Sequence, residues 1–582
     1  MKQYVTRLAA NCWALAVCAV GVMLSAWPVG SSADSNGLSV EPTLTADVRM
    51  RDGVNLATYV WLPRTGTEHP TLLLRSPYGL RYGPEKDTFK RYKLQGYVDQ
   101  GYALVIQDTR ATGASAGTYS LYLADGADGY DTIEWIAKQA WSNGRVGMDG
   151  VSYLGAVQWL AARERPPHLQ CIAPTAPSGE YFEELPYIGG AFRLEWALPY
   201  LSRVLQMDTG TLDWEKMFGH RPLNTADTTF LKEIPQYREW LAHPTLDDYW
   251  KRLYFGPADF AAIKIPFLTV TGWFDADQPG TLHYWRGMQA AGHAQGSLII
   301  GPWDHTQTYL GGAEKSGLMS FSQNHAFDIQ RERIAFFNRC LKDDTHAAPP
   351  PRARVFITGS NEWRSFDQYP PRAVGQVAYY YSSDRGANTR SGDGALVTTR
   401  PATISTDKYV FDPKQPVTYP KGIADMSAIE QRQDVLVYSS GPLRGPLTIL
   451  GSITAELYAA TDGRDTDWVV SVADVHPDGT SVGLNDGGGV LRARYRHGYE
   501  KETLVEPGAV EKYTIKVWDL GHTFLPGHQL RVHVTSSRYP LVNPNQNTGN
   551  PVATDVEWRT ARQTIYLGGD KASRVLLPVL KE

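Results

Sequence analysis

The hydrophobic rhythm of the chain changes near residue 350, and that change limits what it can fold into more than any other feature. Over 40–179 short apolar runs (TLLLRSPYG, ALVIQDTR, RVGMDGVS, LQCIAPTAP) alternate with helical patterns such as DGYDTIEWIAKQAW and AVQWLAARE. That alternation is the rhythm of a parallel sheet with helical crossovers. It breaks off over 180–260, where RLEWALPYLSRVLQM and TLDDYWKRLYF read as irregular, aromatic-rich helices of an inserted cap. It resumes over 261–350 with IPFLTVTGWFD, GSLIIGPWDH and the amphipathic FDIQRERIAFFNRCLKDD. After the linker-like HAAPPP, TIKVWDL and QLRVHVTSS alternate apolar and polar residues with period two, so 351–582 is expected to form a β-sandwich or jelly roll.

A chain of 582 residues, 42% hydrophobic and 20% charged, is too long for one core and divides into two or three domains. The formal net charge of -4 and the lack of any long Lys/Arg run give no footprint for a nucleic-acid partner. Small neutral or mixed-charge molecules fit better. Residues 1–33 read as a signal peptide: Lys2 and Arg7 form its basic start, an apolar stretch runs from Leu8 to Trp27, and Ser31-Ser32-Ala33 offers a cleavage site. A secreted or periplasmic protein with no stable membrane span after cleavage is the expectation. Cys12 and Cys18 leave with that segment, so Cys171 and Cys340 are the one possible pair, and the sequence leaves their pairing open. No H-E-x-x-H, no cysteine pair at ligand spacing and no G-x-x-x-x-G-K is present, so neither a metal nor a cofactor is expected. The glycine-rich NDGGGVL lies among strands and reads as a turn.

The stretch GMDGVSYLGAVQWLAA places Ser152 between an apolar run and the first turns of a helix. Such a strand–turn–helix junction holds a side chain above the carboxyl edge of a sheet, beside the helix N-terminus. Gly150 is expected to let the backbone pass close to its neighbours and Gly155 to let the helix pack tightly. Leu154 stands where the G-x-S-x-G pattern has its second glycine, so the pattern alone fails. A serine nucleophile also needs a base, and the base an orienting carboxylate. In this fold class they follow in the order acid, then histidine, after later strands. FLTVTGWFD ends in Asp275 and SLIIGPWDH ends in His305, both where a parallel sheet keeps its ligands. His283 and His293 lie in or after a helical stretch. Asp108 and Arg110 in QDTR are better explained as a salt-bridged loop.

GMDG with GVSYLG, VIQDTRATGASAG, LLLRSPYG, TGWFD and GPWDH resemble, in order, signatures of the cocaine esterase-like hydrolases, the group related to Xaa-Pro dipeptidyl peptidases and α-amino acid ester hydrolases. The likeness continues through FITGSNEWRSFDQYP, SVADVHPDGTSVGLNDG, FLPGHQLRVHVTSSRYP and NPNQNTG. It implies an α/β hydrolase domain in two parts with a helical cap and a C-terminal jelly roll, and G-x-S-Y-x-G as the family's own elbow. It further implies Ser152 as nucleophile, Asp275 as orienting acid, His305 as general base, and an oxyanion hole made by the Tyr153 backbone N–H and the Tyr78 hydroxyl.

For the substrate, the resemblance implies two choices. The α-amino acid ester hydrolases hold a substrate ammonium with a carboxylate cluster, two of whose members follow the catalytic acid. Here Asp275-Ala276-Asp277-Gln278 keeps one of the two, and ELPYIGGAF, aligned at Leu185, gives no third. A carboxylic ester without a required ammonium is therefore expected, with an Xaa-Pro dipeptidyl peptidase or an α-amino acid ester hydrolase or acylase as the alternative. Asp277 is a candidate substrate-binding residue or a surface-loop acid. A non-enzymatic carbohydrate-binding protein is the remaining, weaker reading.

Overall fold

The computed structural model describes residues 41–79, 89, 92–321, 326–344, 350–485 and 487–581; the signal segment 1–33 lies outside them. A 10-stranded sheet organises the first part, in the order Leu44–Arg49, Asn55–Trp61, Ala103–Asp108, His69–Ser76, Ser142–Val151, Leu169–Thr175, Phe267–Phe274, Gly296–Asp304, Ala353–Ile357, Glu362–Phe366. From Ala103–Asp108 through Ala353–Ile357 the strands run parallel. The two edges are antiparallel. Phe267–Phe274 is buried along its whole length because both faces of the sheet are covered, which is why its sequence reads as one apolar run.

The first two strands after residue 351 belong to the first sheet. Ala353–Ile357 pairs in parallel with Gly296–Asp304, and a turn through Asn361, at φ 54°, returns the chain as Glu362–Phe366 at the sheet edge. An apolar run after a linker carries no mark of which sheet it joins, so the first sheet reaches past the linker to Phe366.

The stretch between Thr175 and Phe267 holds a short hairpin, Tyr187–Ile188 with Ala191–Phe192, and helices from Leu194–Val204 to Pro257–Ala262. Its aromatic residues pack on one another: Phe182 stacks on Tyr187 at 4.9 Å and Tyr181 on Trp250 at 5.8 Å. The same stretch grips the C-terminal part, where the Glu183 carboxylate accepts from the Tyr499 hydroxyl and from Lys516 Nζ, both at 2.8 Å.

A 12-stranded sheet, almost wholly antiparallel, makes the C-terminal part, with Leu447–Thr461 and Glu511–Phe524 as its longest strands. It meets the first sheet along a close seam. Thr358 N–H donates to Gly521 O at 3.0 Å, and a Cβ at Gly521 would stand 2.5 Å from the Trp273 ring. Only glycine fits there, and Trp273 lies two residues before Asp275. Within the first part a disulfide joins Cys171, on Leu169–Thr175, to Cys340, on the helix Ile329–Leu341. Among the described residues no helix is long and apolar enough to cross a membrane.

Candidate active site

Strand Ser142–Val151 and helix Tyr153–Glu164 meet at Ser152, whose φ of 64° and ψ of -124° are costly for a residue with a side chain, by about 1–3 kcal/mol. The surroundings enforce that conformation. Ser152 N–H donates to Thr175 O at 2.9 Å on the next strand, and Ser152 O accepts from the amides of Gly155 at 2.8 Å and Ala156 at 3.0 Å. Gly155 serves the close packing expected of it, since a Cβ there would lie 2.6 Å from Thr175 O. Gly150 carries a constraint beyond the expected one. At φ 140° and paired with Pro174 of the next strand, it meets Leu154 most closely: a Cβ would stand 2.4 Å from Leu154 Cβ. Leu154 takes the place of the missing glycine by filling the space that Gly150 leaves.

Beneath the junction lies a buried charge network. Asp149 accepts from the hydroxyls of Tyr97 at 2.7 Å and Tyr309 at 2.6 Å. Arg333 Nε lies 3.5 Å from its other oxygen, and Arg333 also donates to Thr175 Oγ1 at 2.6 Å and lies over the Tyr309 ring. Arg333 thereby holds both the strand that carries Ser152 and the strand whose carbonyl fixes Ser152 N–H.

Asp275 and His305 follow the ends of the neighbouring strands Phe267–Phe274 and Gly296–Asp304. Asp275 is 1% exposed and accepts three hydrogen bonds: from Thr271 Oγ1 at 2.7 Å, from Asp277 N–H at 3.0 Å and from His305 Nδ1 at 2.7 Å. These fix the imidazole orientation and leave Nε2 as its free nitrogen. Burial alone would lower the His305 pKa, but the charges of Asp277 and Asp275 and the hydrogen bond to Asp275 outweigh it and hold it at about 9.

Asp277 is not a surface-loop acid. It is 5% exposed, its Oδ2 lies 3.9 Å from His305 Nδ1, and burial pushes its pKa up, against the opposing pull of His305 and Arg193. Tyr78 is partly buried; its hydroxyl bonds the Ser152 side chain, Arg203 lies 4.9 Å from its ring centre, and burial raises its pKa, so it remains a protonated donor. The charge of Asp277 acts on both Tyr78 and His305, and with the Tyr78–Ser152 and His305–Asp275 bonds it links these five residues into one electrostatically coupled group. Tyr153 is the first residue of its helix, so its amide has no acceptor within the helix. Its side chain is anchored away below, donating to Asp125 at 2.5 Å.

The remaining candidates stand apart. His283 Nδ1 pairs with Glu180 at 2.8 Å. Arg110 bridges Asp128 and Asp52, both at 2.6 Å, rather than Asp108, whose carboxylate accepts from Ala114 N–H. Around Gly487 and Gly488 the chain turns tightly against the Trp518 ring. Two residues of the site escaped the sequence reading. Glu184, one place before Leu185, is fully buried, and its carboxylate accepts amides from Gly179, Glu180 and Gly280. Burial and the charge of Asp277 raise its pKa. Arg193 is 7% exposed, donates to Glu184 O at 3.1 Å and faces Asp277 electrostatically. An acid beside Leu185 was the available signal for the first; nothing in the sequence marked the second.

The family model described as X-Pro dipeptidyl-peptidase (S15 family) matches residues 52–307, and that of the X-Pro dipeptidyl-peptidase C-terminal non-catalytic domain matches 345–576. The chain is 32% identical over 575 residues to a cocaine esterase from Rhodococcus sp. (strain MB1 Bresler), covering 92% of this chain and 98% of that one. Among solved structures it resembles an aminopeptidase from a marine sediment archaeon, Thaumarchaeota archaeon, at TM-score 0.81 and 27% identity, with 92% of this chain and 96% of that one covered. It also resembles an α-amino acid ester hydrolase, at TM-score 0.79 and 25% identity with the same coverage.

Proposed function

The chain belongs to the cocaine esterase-like family of hydrolases, and from that premise we propose that it cleaves carboxylic esters through an acyl-enzyme formed on Ser152. The observation that carries this reading is the 2.7 Å bond from His305 Nδ1 to Asp275, set beside a serine held at a strained strand–helix junction. Ser152 Oγ attacks the acyl carbon while its proton passes to His305 Nε2. The carbonyl electron pair moves to oxygen, where the Tyr153 N–H and the Tyr78 hydroxyl stabilise it. Collapse restores the carbonyl and expels the alcohol, which takes the proton from His305. Water then repeats the sequence, releasing the acid and restoring the serine. Asp275 fixes the imidazole and stabilises its charged form.

The deciding experiment labels the purified protein with a fluorophosphonate and follows it with a panel of acyl esters, aminoacyl esters and Xaa-Pro amides. Labelling at Ser152 with preferential ester turnover is expected. An unlabelled Ser152 would favour a binding protein, and preferential turnover of Xaa-Pro amides a peptidase. Tyr78→Phe keeps the ring and removes the donor, so kcat should fall by roughly 10²–10³ with little change in KM, as measured by steady-state kinetics. If KM rises while kcat holds, Tyr78 only lines the pocket.

A second reading, hydrolysis of aminoacyl esters, is favoured by the buried carboxylate of Asp277 at the site. One variant separates the two readings and tests the electrostatics. The base must be neutral to accept a proton, so kcat/KM should rise with pH toward half its maximum near 9, the pKa of His305. Asp277 exerts the largest charge effect raising that value, so Asp277→Asn should move the rising limb to lower pH for an uncharged ester. A limb that stays in place would mean that Asp277 does not act on His305. Near neutral pH, where the α-ammonium is still charged, a loss for the aminoacyl ester beyond that for the plain ester would assign Asp277 to ammonium binding, through a charge-assisted contact of about 1.5–3 kcal/mol. With Arg193 already facing Asp277, the plain ester is the leading substrate class.

The first part is read as an α/β hydrolase domain carrying a cap, and the C-terminal sheet as a jelly roll, on the strength of its antiparallel pairing and the alternate burial along Glu511–Val517. Export is supported by the basic and apolar character of 1–33 and by the Cys171–Cys340 disulfide, which suits an oxidising compartment.

A further inference from the structure

Three of the fourteen histidines gather around one carboxylate at the end of the C-terminal sheet, remote in sequence from the serine and its partners. Asp474 lies on strand Asp467–Val475, His476 just beyond it, His522 on Glu511–Phe524, and His528 immediately before Gln529–Thr535. One ligand atom each from Asp474, His476 and His528 lies within 4.8 Å of the other two. His528 Nδ1 is 2.9 Å from both Asp474 oxygens, and His476 Nε2 is 3.7 Å from Oδ2. Two donors on a metal with bonds of about 2.0–2.1 Å stand roughly 2.9 Å apart in an octahedral arrangement and 3.3 Å apart in a tetrahedral one, so these spacings bracket both.

The ion pairs of Asp474 are with imidazoles, which can also serve as metal ligands. Asp474 is 3% exposed and His522 2% exposed. His522 Nε2 faces Asp474 Oδ2 at 3.3 Å, while its Nδ1 is fixed by Thr358 Oγ1 at 2.8 Å, so it orients the carboxylate from behind. Partners of this kind hold metal ligands in place. His476 Nε2 lies beyond hydrogen-bond length from the carboxylate but within ion-pair reach, and its ring packs against His528 at 4.7 Å. Its side chain is the most accessible of the three, leaving a way in for an ion.

We propose that Asp474, His476 and His528 bind a divalent transition-metal ion of the zinc class, with Asp474 oriented by His522 and solvent completing the coordination. Two imidazoles and one carboxylate suit zinc or cobalt, whereas magnesium prefers oxygen donors alone. The ion would join the start of one strand to the end of its neighbour, next to the seam at Thr358.

The full-length chain, freed of metal with a chelator, is titrated with Zn²⁺ by calorimetry and with Co²⁺ by visible absorption. The expected result is one Zn²⁺ per chain, a Co²⁺ d–d band that Zn²⁺ displaces, and no heat with Mg²⁺. His476→Ala removes a half-buried imidazole and keeps the backbone hydrogen bonds of its turn, so it should leave fold and ester turnover unchanged, while weakening Zn²⁺ binding by roughly 10–100-fold or more. His528→Gln should do the same. No binding by the natural chain, or binding that both variants keep at full strength, overturns the proposal.

Discussion

Ser152→Ala and His305→Ala should each lower ester turnover by a factor of roughly 10⁴ or more, and the double variant should be about as slow as either single one. The losses do not add because the serine is a poor nucleophile without its base, and the base has nothing to deprotonate without the serine. Both residues stand at the carboxyl edge of the sheet, with His305 partly exposed, so neither change should disturb the core. Steady-state kcat at saturating ester, read beside a thermal melt of each variant, measures both points. Turnover retained by His305→Ala would place the base elsewhere. His283 would be a poor substitute, since its Nδ1 is bound to Glu180 and its Nε2 is buried.

Arg333→Met should cost about 3–5 kcal/mol in unfolding free energy, a large effect for one residue outside the site. Arg333 is 1% exposed, and its removal leaves the buried carboxylate of Asp149 with only two tyrosine hydroxyls and no compensating cation. Methionine fills much of the volume, so the loss reports the uncompensated charge rather than a cavity. Urea unfolding measures it. Adding Asp149→Asn should return part of the stability by removing that charge. A cost below about 1 kcal/mol would mean that solvent reaches Asp149 and the pair is not structural. Thr175 would lose its donor in the same variant, so a fall in kcat at temperatures where the protein stays folded would show that the network also sets Ser152.

Why some of this could be read from the sequence and some could not follows from how far each contact reaches along the chain. The positions of Ser152, Asp275 and His305 were legible because each follows an apolar run, and a parallel sheet brings the ends of successive runs to one edge. Gly155 was legible because its need is local, a helix against the next strand. The demand on Gly150 was legible only in part, since its tightest contact is with Leu154, the very residue that breaks the familiar pattern. That strands Ala353–Ile357 and Glu362–Phe366 join the first sheet was not legible, because period and composition say that a segment is a strand, not which sheet it joins. The burial of Asp277 and the approach of Arg193 depend on how the inserted helices fold over the sheet edge. No spacing rule reports that. The cluster at Asp474 is assembled from residues on three separate strands or their ends, so no short motif announces it.

The disulfide between Cys171 and Cys340 closes a loop of 169 residues, which contains the whole of the inserted helical stretch together with Asp275 and His305. On a chain-entropy view, a loop of that length raises the free energy of the unfolded state by about 5 kcal/mol. It also makes the molecule tolerant of being cut. A protease that nicks an exposed turn among the inserted helices leaves two fragments, one carrying Ser152 and the other His305, that remain covalently joined across the sheet. In an environment rich in proteases and poor in thiols, a broken backbone there would still keep the serine and the histidine on a single molecule.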